Sequence, residues 1–62
     1  MTDFVLSGGP SGGDTATFAS GATGETIDID CGTRLARYEL RDYDFEGVLE
    51  RRAVFVGYVP KL

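Results

Sequence analysis

Thr33-Arg34-Leu35-Ala36-Arg37-Tyr38-Glu39-Leu40-Arg41-Asp42-Tyr43 admits two readings, and the fold depends on which one holds. As a strand, it places Ala36, Tyr38 and Leu40 on one face and Arg37, Glu39 and Arg41 on the other. As a helix, Thr33 caps the first turn, and Ala36, Leu40 and Tyr43 form an apolar stripe opposite Arg34, Arg37 and Arg41. Leu, Ala, Arg and Glu favour the helix. The strict alternation, the tyrosines and the character of the neighbouring segments favour the strand, which is the preferred reading.

Those neighbours are short and β-like. Ile27, Ile29 and Cys31 alternate with Asp28 and Asp30 over Thr26–Cys31, and Ala16 and Phe18 alternate with Thr15 and Thr17 over 15–19. Asp3–Leu6 is a third such run. Ala53-Val54-Phe55-Val56-Gly57-Tyr58-Val59 is apolar on both faces and ends at Pro60, the pattern of a central strand. Pairing 33–43 with 51–59 through a turn near Glu46-Gly47 predicts the main hairpin. The Gly-rich stretches 7–14 and 20–25 read as connectors. The expected architecture is one mainly β domain over residues 1–62. It is a small antiparallel sheet or barrel-like roll of four to five strands, with a short helix at 33–43 as the alternative.

Sixty-two residues limit what can stabilise such a domain. A 6.7 kDa chain buries roughly 5,800 Å² on folding. If about six-tenths of that area is apolar, burial contributes about 85–90 kcal/mol. Ordering the chain costs roughly 90 kcal/mol. The terms cancel, so an oligomer or a partner is a natural source of extra stability.

The inventory also closes off chemistries. There is one Cys, no His and no Trp. No intrachain disulfide can form, and the usual zinc sets and imidazole-based catalysis are excluded within one copy. Cys31 is expected as a buried thiol in a reducing compartment. Enzyme chemistry and cofactors are not expected. The N-terminal residues lack a basic region followed by an apolar run, and nothing approaches a membrane span, so a cytoplasmic location is expected. The net charge of −4 argues against direct nucleic-acid binding. It is unevenly spread: residues 1–32 hold five acids and no base, whereas 33–62 hold five acids and six bases. Acidic strands lying beside arginines account for this split, and a bipolar surface for head-to-tail association is its sharper counterpart.

Two loops resemble ligand motifs. Gly8-Gly9-Pro10-Ser11-Gly12-Gly13 suggests a phosphate cradle, but it lacks Gly-Lys-Ser/Thr and a following helix. Asp42, Asp44 and Glu46 fall at positions 1, 3 and 5 of a calcium loop, with Gly47 at 6 and Glu50 at 9. Ala53 stands where the bidentate Glu belongs, so a hairpin tip with solvated acids is the simpler reading.

Seven aromatics exceed what so small a core can enclose. Tyr43, Phe45 and Tyr58 are therefore the candidate interface residues, with Asp42, Asp44, Glu46, Arg37 and Arg41 as candidate charged contacts. The expected function is a non-enzymatic protein-interaction module. It is either a structural subunit of an oligomer or a small regulator of a larger host protein. An acidic inhibitor of a basic, nucleic-acid-handling protein is the alternative, and weak cation binding the third reading.

Val5-Leu6-Ser7-Gly8-Gly9-Pro10, the mid-chain Arg37-Tyr38-Glu39 and the late Val54-Phe55 resemble a group of short actinobacterial or actinophage proteins without an assigned activity. That group carries an aromatic and a His after Tyr-Glu, where Leu40-Arg41 stands here, and a Trp after the late Val-Phe. The resemblance implies a small β-rich protein and nothing about its chemistry.

Overall fold

The computed structural model describes residues 1–62 and contains no helix. Five strands follow one another: β1 (Thr2–Ser7), β2 (Thr15–Phe18), β3 (Thr26–Asp30), β4 (Arg34–Phe45) and β5 (Val48–Pro60). The segment that could be read as a helix is strand β4. Its alternation decides the matter, because Ala36, Tyr38 and Leu40 are fully buried while the residues between them are only half-covered. A helix would have split that trio around its axis.

The strands form one sheet in the order β2-β1-β5-β4-β3, rolled into a nearly closed barrel shape. The apolar strand over 53–59 lies in β5, at its centre. The sheet is mixed, however, and not wholly antiparallel. β1 runs parallel to β5, with Leu6 opposite Ala53 and Ser7 opposite Val54, while every other pairing is antiparallel. The reason is the core: the parallel seam sets Leu6 against Ala53 and so completes the buried face.

That face consists of Leu6, Phe18, Ala36, Tyr38, Leu40 and Ala53, with Phe4, Ala16, Ile27, Ile29 and Phe55 packed around them. The accessible surface is 4034 Å², close to the roughly 3,900 Å² expected for a folded chain of this mass. The core is therefore of ordinary size but has few fully enclosed residues.

Register along β4 and β5 changes once. Arg37 pairs with Gly57 but Tyr38 pairs with Phe55, leaving Val56 as the extra residue of a β-bulge. Gly57 takes a φ of 141° there. The bulge reverses the alternation, so Phe55 and Tyr58 share one face and their rings meet edge to face at 5.1 Å.

Cys31 departs from expectation. The alternation Ile27, Ile29, Cys31 predicts a buried thiol, yet Cys31 is exposed. β3 stops at Asp30, and the chain turns through Gly32, whose N–H donates to Asp30 Oδ1 at 2.8 Å. Cys31 thus belongs to a turn, and its thiol donates to the Arg34 carbonyl at 3.2 Å. No helix is long and apolar enough to cross a membrane.

Candidate functional site

The last buried pair along β4 and β5 is Leu40 opposite Ala53. Beyond it the two strands continue as a two-stranded arm from Arg41 to Arg52, with the loop carrying Gly21 and Thr23 bonded to its base. The molecule is correspondingly elongated, 40 × 21 × 18 Å. Glu46-Gly47 closes the arm with φ values of 53° and 83°, both positive, as a two-residue type I′ turn requires. Asp44 holds that turn by accepting the Gly47 N–H at 2.8 Å.

The apolar residues at the tip are largely uncovered. Phe45 is 49% exposed, Val48 67% and Leu49 69%. A protein surface tolerates scattered apolar residues, but here three cluster at the tip of one hairpin. Phe45 and Val48 are a cross-strand pair on the outer face, and Leu49 lies opposite Asp44 on the inner one. Arg52 lies over the Phe45 ring, its guanidinium carbon 5.0 Å from the centroid.

Charges line the arm in an ordered way. On the inner face Arg51 meets Asp42 across the strands through two bonds of 2.7 and 3.1 Å and also donates to the Gly21 carbonyl. The Thr23 hydroxyl donates to Asp42 Oδ2, the oxygen that Arg51 Nη2 also reaches, at 2.6 Å. The Arg51 guanidinium, then Thr23, hold that carboxyl down to about 2. On the outer face Arg41 lies directly opposite Arg52. Each turns away from the other to the glutamate two residues earlier on its own strand, Arg41 to Glu39 at 2.6 Å and Arg52 to Glu50 at 2.9 Å.

The arm thus gathers Arg41, Asp42, Tyr43, Asp44, Phe45 and Glu46 from among the sequence candidates. Tyr43 is half-buried and Phe45 exposed. Tyr58 and Arg37 lie apart, on the body of the sheet. Tyr58 is 43% exposed, but one face of its ring carries the Arg34 guanidinium at 3.4 Å. Arg37 is paired with Asp28 through two bonds of 2.8 and 3.1 Å. The residues that sequence reasoning missed are Val48 and Leu49. Their adjacency is the available signal, since consecutive strand residues point to opposite faces and one core cannot bury both.

The calcium-like spacing falls on extended strand and a two-residue turn, and Asp42 faces Arg51. No group of three or more acidic or thiol side chains converges. In the 8–13 loop the amides are turned inward: Gly12 donates to Gly9, Gly13 to Leu6, and Ser11 to the Tyr38 hydroxyl. The acids of the first half interleave with cations of the second, Asp28 with Arg37 and Asp30 with Lys61. That is the neutralising arrangement anticipated from the charge split. The surface holds no ligand-sized cavity. Comparisons with protein-family models, curated proteins and solved structures give no match.

Proposed function

We propose that this chain is a non-enzymatic protein-interaction module, a structural subunit of an oligomer or a small regulator of a larger protein, and that the β4–β5 arm is its docking element. The observation that carries this reading is the uncovered apolar tip of Phe45, Val48 and Leu49 on an arm that contributes no buried residue. An arm that adds no buried residue to its own core gains further apolar burial by packing on something else. The paired state of Asp28, Asp30 and Asp42 counts against an acidic ladder aimed at a basic partner. A cytoplasmic setting suits an exposed, unpaired thiol.

Light scattering across a concentration series, together with crosslinking in the native host, tests the proposal. Whatever assembly the wild type forms, with itself or with a host protein, should be lost in the Phe45→Ser and Leu49→Ser variants while the circular dichroism is unchanged. An assembly indifferent to both substitutions, or no assembly at all, overturns the reading.

A further inference from the structure

Five of the six basic side chains are neutralised within the chain. Arg37, Arg41, Arg51, Arg52 and Lys61 each pair with a carboxylate, and Arg34 alone has none. It is exposed at the start of β4 and lies over the Tyr58 ring at 3.4 Å from the centroid. The ring holds the guanidinium in place without using its N–H groups. Tyr58 is itself exposed, as is Val56 two residues before it. Arg and Tyr are the side chains that most often anchor protein interfaces.

The tip of the arm lies at the other end of the same two strands. Its apolar cluster of Phe45, Val48 and Leu49 is accompanied by Asp44 and Glu46, neither of which has a cation. Asp44 is engaged by the Gly47 N–H, which leaves the exposed Glu46 as the free carboxylate. Val48 and Tyr58 are separated by roughly 30 Å of extended strand, and the molecule is 40 Å long. The unpaired cation and the unpaired acid therefore cannot meet within one copy.

We infer that they meet between copies: the arm tip of one molecule docks on the Arg34–Tyr58 end of another, Glu46 accepting from Arg34 while the Phe45–Val48–Leu49 cluster covers Tyr58. The inference rests on the docking role proposed for the arm and names its occupant. Each surface combines exposed apolar side chains with one uncompensated charge, and the two charges are opposite in sign. Asp30, the acid near the receiving end, is already neutralised by Lys61 and does not oppose an incoming carboxylate. Contacts of like with like lack this fit. Two tips would set Asp44 and Glu46 against their own counterparts, and two receiving ends would oppose their guanidiniums. The remaining acids without a cation are poorer matches for Arg34. Asp3 is held by the Thr17 hydroxyl, and Glu25 by the turn at 19–21. Asp14 lies beside β1, where Val5 is the single exposed large apolar residue. The same contact can close as an antiparallel pair, each tip on the other's receiving end, or continue end to end.

Sedimentation velocity over a wide concentration range tests the inference. The wild type should form species of twice 6.7 kDa or larger as concentration rises. Arg34→Glu and Leu49→Ser, each with unchanged circular dichroism, should weaken that assembly roughly tenfold or more. Mixed together, the two variants should recover a one-to-one pair, because the intact tip of the first fits the intact receiving end of the second. Glu46→Arg should also weaken assembly, and combining it with Arg34→Glu in one chain should restore it. A wild type that stays monomeric overturns the inference, and crosslinking in the native host then decides the arm's docking role separately. Assembly lost on Leu49→Ser but untouched by Arg34→Glu overturns the inference and leaves that role standing. A mixture of the two variants that stays monomeric also overturns the inference. Assembly indifferent to both substitutions overturns both readings.

Discussion

The Tyr38 hydroxyl donates to the Gly8 carbonyl at 2.7 Å and accepts the Ser11 N–H at 3.0 Å. One fully buried ring thus anchors the centre of β4 to a loop thirty positions earlier in the chain. Tyr38→Phe keeps the ring and strands a donor and an acceptor. It should cost about 1–3 kcal/mol, with Tm falling roughly 4–8 °C per kcal/mol in a domain of this size. Thermal melts followed by circular dichroism measure this. An unchanged Tm removes the hydroxyl's anchoring role.

Gly9 presses on the same ring system. A Cβ there would lie 2.6 Å from Phe55 Cγ and 2.7 Å from the Tyr38 hydroxyl, at a φ of 66°. Gly13 also has a positive φ, 93°, but faces open space. Gly13→Ala should show backbone strain alone, on the order of 1 kcal/mol, and Gly9→Ala clearly more because packing is displaced as well. Urea titration of the two variants should rank them in that order, and equal losses would mean that the loop can move off Phe55.

Glu25 supplies a pH-sensitive tie. Its carboxylate accepts the Ser20 hydroxyl and the N–H groups of Gly21, Ser20 and Ala19. Those bonds, the Ser20 hydroxyl foremost, lower it from the ordinary 4.5 to about 2. A carboxyl depressed by folding stabilises the protein above its unfolded value, and that contribution disappears as pH falls through the folded one. Glu25→Gln should therefore be less stable than wild type near neutrality, with the difference shrinking between pH 4.5 and 2. Denaturant midpoints at several pH values read this directly. A constant gap across the range would assign the effect to packing.

Cys31 should react with a maleimide in the folded state without prior unfolding, because its side chain is exposed. Mass spectrometry of a brief labelling in native buffer, compared with the same reaction in denaturant, checks it. Protection in buffer alone would place the thiol inside.

Much of the sheet is legible in the sequence because it rests on local alternation. Ala36, Tyr38 and Leu40 mark the buried face of β4, Ile27 and Ile29 that of β3, and Glu46-Gly47 marks the turn between β4 and β5. What stays hidden depends on pairing over long distances or on a break in periodicity. Nothing local announces that Leu6 will lie opposite Ala53 on a parallel strand. The bulge at Val56 is equally silent. Without it Tyr58 reads as sharing a face with Val56, when in fact it joins Phe55. Cys31 misleads for a related reason, since the alternation of β3 runs one residue past the end of its strand. The candidate site was half visible: its aromatic and acidic residues stood out by type, whereas Val48 and Leu49 look like ordinary core until the register leaves them without a core to enter.

The parallel seam bears on how the protein is made. β1 and β2 can pair as soon as both have been synthesised, and β3, β4 and β5 can pair in chain order, each strand beside the one before it. Among the strand pairings, Leu6–Ala53 and Ser7–Val54 alone join the two groups. Leu6 therefore stays without its neighbour on that side until Ala53 has come to lie beside it. Closure of the barrel is a late event that brings distant parts of the chain together, and chaperone protection would matter most in the interval before it.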